Sequence, residues 1–290
     1  MSLQNMNQAQ SLKIKLSALR EEAVFAGGER LPMDRCFDQQ EFITAECETH
    51  GEYQQMRIWT EYAGRTPDKR SRCPHCIAEG IAAAETGMYA LQVAHLTDKA
   101  NIPERFSACS FDNYIPGNKR AQNNLDMLRA YAQSWPEMYA AGTSLILTGR
   151  PGTGKNHLAV SLAKNIIADH QASVLLTSVM RVIRAVRRSW GKESKYSEDE
   201  IIDMYTGIDL LVIDEVGVQY GSDSEMIILY DILNTRYERM LPTVIISNLP
   251  PAEISQVIGD RLTDRLVEGG GATLVFDWNS YRSTKGAQPA

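Results

Sequence analysis

Gly149-Arg150-Pro151-Gly152-Thr153-Gly154-Lys155-Asn156 is the stretch on which the fold turns. Closely spaced glycines expose successive backbone N–H groups to phosphate oxygens, and a lysine at this offset sets a point charge beside the β and γ phosphates. The loop predicts an ATP site built from Gly149, Pro151, Gly152, Thr153, Gly154, Lys155, Asn156 and His157. Its last position normally offers a Ser or Thr hydroxyl to Mg2+. Asn156 offers an amide oxygen instead, an unusual magnesium ligand, and this predicts slow hydrolysis.

Ser144 to Thr148 is an apolar run entering the loop, and a helical pattern follows from Lys155 to about Asp169. That strand-loop-helix context is the one in which such a motif binds phosphate. A second run, Ile208 to Glu215, is apolar and closes on two acids. Asp214 is placed to hold Mg2+ or its water, and Glu215 to polarise an attacking water. Strand-like segments at 144–149, 173–177, 209–214, 243–247 and 272–276 alternate with helical ones. They predict an α/β fold, a P-loop ATPase core with a five-stranded parallel sheet covered by helices on both faces. Asn248 follows the fourth strand, where a polar side chain faces the γ-phosphate; its alternative role is to cap the turn before Pro250-Pro251.

With 290 residues, 43% of them hydrophobic and 23% charged, the chain can bury one substantial core and carry a smaller module. No apolar stretch approaches membrane-spanning length and Met1 to Gln10 is polar, so a cytoplasmic protein is expected. The net charge of −6 argues against coating of nucleic acid by the whole molecule. Any DNA contact must come from a local basic surface. Arg181, Arg184, Arg187 and Arg188 recur at helical spacing, and with Lys192, Lys195 and Glu193 they give a local charge of +5. Such a face can follow a phosphate backbone, with Trp190 beside it for base stacking, or can be a solvated helix face.

An odd count of five cysteines in a reducing compartment disfavours a disulfide framework. Cys47-Glu48-Thr49-His50 and Cys73-Pro74-His75-Cys76 are pairs with two intervening residues, which lets both members of a pair turn onto one tetrahedral ion. They predict a structural Zn2+ site of Cys47, His50, Cys73 and Cys76, with Cys36 or His75 as alternatives to His50. Residues 1–10 read as disordered. Leu12, Leu16, Leu19 and Ala23 then form a helical stripe that packs on the zinc module or on a partner. An alanine-rich helix runs from Cys76 to about Ala100, where Asn101-Ile102-Pro103 breaks it. The expected organisation is a flexible or helical segment at 1–30, a zinc-binding domain for partner interaction at 31–100, and an ATPase domain at 101–290.

Gly154-Lys155-Asn156-His157-Leu158-Ala159, the run 210–219, the run 259–265 and Asp277-Trp278-Asn279-Ser280-Tyr281-Arg282 together resemble the DnaC-type AAA+ replicative helicase loaders, over about residues 106–283. The resemblance implies that Asn248 and Arg282 sense the nucleotide and that Arg265 is an arginine finger offered to a neighbouring subunit, with Arg261 able to share or replace it. It implies that Phe111 and Tyr114 border adenine, and that the arginine-rich helix binds single-stranded DNA. The implied partners are a DnaB-type replicative helicase, single-stranded DNA and further copies of the chain; no membrane is involved. The zinc pairs depart from the family's usual N-terminal region, as in a phage or prophage variant. The related IstB-like transposition ATPases share this core, and an adaptor that uses nucleotide with little hydrolysis is a further alternative.

Overall fold

The computed structural model describes residues 3–191, 193–217 and 223–281. The chain divides into two compact units, Met1–His95 and Leu96–Ala290.

The first unit opens with α1 (Leu3–Ala26) and continues through an antiparallel sheet of β1 (Gln39–Cys47), β2 (Gly51–Trp59) and β3 (Asp68–Arg70) to α2 (Pro74–Lys99). Helix α1 begins at Leu3, so residues 3–10 are helical rather than disordered. Gln, Asn, Met and Ala without Gly or Pro carry little penalty there. The apolar stripe of α1 is used within the unit. A Cβ on Gly80 of α2 would meet Leu19 at 3.3 Å and one on Gly87 would meet Leu12 at 3.2 Å, so the helices run antiparallel in close contact along these glycines. Arg72 adds a two-pronged bond to Glu22 of 2.5 and 2.6 Å. Phe25, Met56 and Ile58 form the small core under the sheet. Beside it the buried Asp34 accepts from Leu31 N at 3.1 Å and from Lys69 Nζ at 2.7 Å, while the same ammonium stands 4.5 Å from the Phe25 ring.

The second unit contains α3 (Lys119–Gln133), α4 (Trp135–Ala141), β4 (Leu145–Gly149), α5 (Lys155–His170), β5 (Val174–Ser178), α6 (Val179–Ser189), α7 (Glu198–Thr206) and β6 (Leu210–Val216). It ends with α8 (Asp223–Glu238), β7 (Thr243–Ser247), α9 (Pro251–Ile258), α10 (Asp260–Val267) and β8 (Ala272–Phe276). The sheet is parallel throughout in the order β5-β6-β7-β4-β8. All five strands expected from the apolar runs are present, β6 running two residues further to Val216 across an irregularity in its pairing with β7. Parallel strands buried on both faces read as continuous Val, Ile and Leu runs, as Leu210 to Ile213 and Thr243 to Ile246 do. The chain leaves β4 through α5 and returns in β5 at the far edge of the sheet. Ligands of open α/β sheets bind in the crevice that such a switch opens beyond the carboxyl ends of the strands.

One buried charge braces the opposite ends of the strands. Arg236 on α8 is fully buried. Its Nε donates to Thr243 Oγ1 at 3.0 Å, Nη1 to the carbonyls of Tyr205 and Ile208 at 2.8 and 2.7 Å, and Nη2 to those of Pro242 and Asp209 at 2.6 and 3.3 Å. Burial draws its pKa down to about 10, against the pull of Asp209, so the group stays charged at neutral pH. It thereby ties the end of α8 to the entries of β6 and β7. Arg236→Met should cost the second unit about 3 kcal/mol or more, since several buried carbonyls lose their donor at once. Urea denaturation measures this; a loss below about 1 kcal/mol would show that water takes over the network.

Candidate nucleotide and metal sites

The phosphate loop joins β4 to α5 with Gly149, Gly152 and Gly154 at φ of 122°, 78° and 97°, a region where a side chain strains the backbone. Each glycine also lies against a neighbour. A Cβ would stand 2.3 Å from the Phe276 carbonyl oxygen at Gly149, 2.0 Å from Ser280 Oγ at Gly152 and 2.6 Å from the Tyr114 ring at Gly154. The loop is laced to the segment after β8: Arg150 N donates to Phe276 O at 2.8 Å, Trp278 Nε1 to Thr153 O at 3.1 Å, and Tyr281 N to Gly152 O at 2.9 Å. Two loop carbonyls, those of Gly152 and Thr153, are thereby held from outside the loop. Thr153 Oγ1 closes the turn around Pro151 on Arg150 O at 2.7 Å. Lys155 is buried, its ammonium donating to the carbonyls of Gly149 and Arg150 at 2.7 and 2.8 Å.

Asp214, at the end of β6, pairs in register with Ser178 of β5. Its carboxylate accepts from Asn156 Nδ2, and its second oxygen accepts from Glu215 N at 2.7 Å. The departure from a hydroxyl at position 156 is thus joined to the acid expected beside it. Glu215 is exposed and takes φ of 63°, a conformation that costs a residue with a Cβ about 1–3 kcal/mol and that recurs at functional sites. Asn248 is exposed directly after β7, whose Ser247 is level with Thr148 of β4, so it stands at the same edge as the loop. Phe111 is buried. Tyr114 lies against Gly154, its ring 5.4 Å from that of His157, and burial pushes its pKa up to about 12. His157 is fixed in turn through Nε2 and Ser110 O at 2.9 Å. Arg282 lies outside the described residues.

A cavity of about 210 Å3 opens beside the acids, lined by Asn156, Asp214, Glu215, Ser178 and Arg181 together with Phe106 and Leu176. Arg181 therefore belongs to two places, the first turn of α6 and the surroundings of the acids. Arg181, Arg184 and Arg188 are exposed on one side of α6, while Val179, Val182, Ile183 and Val186 are buried on the other. Arg187 is spoken for: it pairs with the buried Glu225 at 3.0 Å. Trp190 is exposed, with its indole N–H on Glu198 at 2.7 Å. Arg265 donates to Asn234 within its own chain, whereas Arg261 is exposed and has no partner among the described residues.

In the first unit, the turn between β1 and β2 and the start of α2 bring Cys47, His50, Cys73 and Cys76 together, their ligand atoms all within 4.8 Å of one another. His50 Nδ1 stands 3.7 Å from Cys47 Sγ, 3.7 Å from Cys73 Sγ and 3.3 Å from Cys76 Sγ, and the sulfurs of Cys47 and Cys76 are 3.5 Å apart. A tetrahedral Zn2+ with about 2.3 Å to sulfur and about 2.0 Å to nitrogen spaces its ligand atoms by about 3.5–3.8 Å, so the cluster could hold that ion. His50 completes the group, whereas Cys36 and His75 stand outside it. Backbone donation from Thr49, then His50, lowers the Cys47 thiol to about 6, and Cys47 with Glu79 raises His50 to about 9. The β-hairpin and Glu79, which meets His50 Nε2 at 3.1 Å, were not anticipated from sequence. Glu79 follows Cys76 by three residues, one helical turn, which was the available signal.

Fold and loop define an AAA+ P-loop nucleotide-binding protein. The family model for "IstB-like ATP binding protein" matches residues 92–287, and the chain belongs to that family. The Escherichia coli (strain K12) replicative helicase loader DnaC is 32% identical over 202 residues, 70% of this chain and 80% of that one. The DnaC of Buchnera aphidicola subsp. Acyrthosiphon pisum is 32% identical over 193 residues, 67% and 77% of the two chains. A crystal structure of the DnaC helicase loader superposes with a TM-score of 0.55 at 21% identity, covering 60% of this chain and all of that one, which shows a common fold. The Cys/His cluster lies before the matched residues. Among the described residues no helix is long and apolar enough to cross a membrane.

Gly152→Ala tests the loop geometry. With strained φ and Ser280 in the way, the variant should bind nucleotide at least about tenfold more weakly in a fluorescent-nucleotide titration. Unchanged affinity would mean that this loop shape is not the binding shape.

Proposed function

We propose that the chain is an ATP-controlled loader that places a DnaB-type replicative helicase on single-stranded DNA. The observation that carries this reading is the position of Arg181, which starts the arginine-bearing side of α6 and lines one cavity with Asn156, Asp214 and Glu215. Nucleotide state and grip on DNA then meet within one turn of helix. The likeness to proteins named as DnaC loaders supports the helicase as cargo.

In this reading the loop amides and Lys155 bind the phosphates, and Tyr114 and Phe111 border the base. Asn156 and Asp214 hold Mg2+, which when bound would offset phosphate charge. Glu215 orients the attacking water, and Asn248 and Arg282 respond to the γ-phosphate. Asn156 already engages Asp214, so hydrolysis is slow until DNA and helicase are present. Arg265, with Arg261 a turn earlier, serves a neighbouring copy of the chain. Cys47, His50, Cys73 and Cys76 hold a structural Zn2+, and the unit around it meets the helicase. ADP formation measured with and without single-stranded DNA and helicase tests the reading: stimulation supports it, whereas nucleotide binding with no turnover would favour the adaptor. The family match also admits a transposition ATPase, in which case the chain should co-purify with a transposase rather than with a helicase.

Two expectations follow for the binding groups. Purified protein should carry about one zinc per chain, lost in Cys73→Ser or Cys76→Ser together with the fold of the first unit, while nucleotide binding persists. Stoichiometric zinc retained by Cys73→Ser/Cys76→Ser would rule the site out. Arg184→Ala with Arg188→Ala should weaken single-strand binding and flatten its log–log salt slope by about 1–2, whereas Arg187→Ala, whose charge Glu225 already takes up, should change the slope little. An unchanged slope in the Arg184→Ala/Arg188→Ala variant would put the DNA elsewhere than on the exposed side of α6.

A further inference from the structure

Asn234 and Tyr237 lie three residues apart on α8 and share one face. Both meet Arg265 of α10: its Nη1 donates to Asn234 Oδ1, and its guanidinium carbon stands 4.8 Å from the centre of the Tyr237 ring. Tyr237 is fixed in turn, because its hydroxyl donates to Glu268 Oε2 at 2.6 Å, three residues beyond Arg265. The end of α10 thus holds one tyrosine by its face and by its hydroxyl. A cleft of about 340 Å3 opens beside this cluster, lined by Arg265, Tyr237, Glu268 and Gly142 among others.

The chemistry of the seat is selective. A carboxylate would hold an arginine by neutralising it. An aromatic face and a neutral amide orient the planar guanidinium and leave its charge in place. Among the described residues Arg265 forms no ion pair, and its hydrogen bond to Asn234 uses one of its five N–H groups. An arginine fixed but still charged is suited to an anion that arrives from outside. Its side chain is ordered before it engages, which is where positioning contributes to rate.

We propose that Asn234 and Tyr237 are positioning residues that present Arg265 to the nucleotide held by a neighbouring copy of the chain. This rests on the reading of Arg265 as a finger acting across a subunit boundary. The seat then belongs to the subunit that donates the arginine, not to the one that hydrolyses.

The test uses full-length protein and ADP formation on single-stranded DNA. Tyr237→Leu should lower turnover about tenfold with nucleotide affinity unchanged, and Tyr237→Phe, which keeps the ring, should stay within about threefold of the parent. Thermal melting shows whether each variant is folded. The decisive arm mixes subunits. Lys155→Ala subunits, which cannot bind phosphate but carry an intact seat, should restore turnover to Tyr237→Leu; Lys155→Ala/Tyr237→Leu subunits should not. Equal rescue by both donors, or wild-type or faster turnover by Tyr237→Leu, would overturn the proposal. Arg265→Ala separates the two levels. If Arg265→Ala is slow and Tyr237→Leu is not, the seat alone fails; if Arg265→Ala turns over normally, the finger assignment fails and the seat with it.

Discussion

The Phe276 carbonyl lies so close to Gly149 that a single Cβ on that glycine would stand 2.3 Å from its oxygen. This close approach joins β8 to the end of β4 and fixes where the phosphate loop begins. Phe276 O accepts from Arg150 N, and the residues beyond β8 then supply donors to Thr153 and Gly152. The loop is therefore shaped from two sides, by its own glycines and by the last strand of the sheet. A parallel sheet with β4 between β7 and β8 is what brings those two sides together. Asp214 and Asn248 reach the same edge because β6 and β7 follow β4 in the sheet order.

The second constraint is the short path from nucleotide to basic surface. β5 ends at Ser178, level with Asp214, and α6 starts at the next residue. Arg181 is consequently close to the acids, while Arg184 and Arg188 extend the same exposed side away from them. Arg187, exposed as well, is paired with Glu225. A phosphate backbone lying on α6 would compete for Arg181 with the carboxylates that line its cavity, so a change at either place alters the electrostatics of the other. The αL conformation of Glu215 sits at this junction.

Much of the second unit was legible in the sequence because parallel strands buried on both faces write themselves as uninterrupted apolar runs. The glycine loop and the two acids closing Ile208 to Glu215 had no competing reading once they occurred together. The first unit was harder to read. β1 carries Gln39, Gln40, Glu41, Thr44 and Glu46 and is half exposed along its length, so it lacks the contrast that marks a strand. The four clustered side chains were nonetheless readable from their pairwise spacing, and it is the geometry that groups His50, not His75 or Cys36, with the three cysteines. The contacts of Arg187 and Arg265 were invisible for a different reason. Helical spacing places a side chain on a face, but the partner comes from α8, far away in the chain. Arg236 was missed likewise, since nothing local distinguishes an arginine that braces three elements from one on the surface.

Closed circular single-stranded DNA offers no end onto which a ring helicase can thread, so helicase found on it has been loaded. Helicase retained on such circles is counted after gel filtration at high salt, with the chain supplied alongside ATP, ADP or no nucleotide. An ATP-controlled loader requires that retention depend on both the chain and ATP and be lost with Lys155→Ala, whose phosphate loop lacks its cation. Retention that is the same without nucleotide, or that Lys155→Ala supports as well as the parent chain, would contradict it.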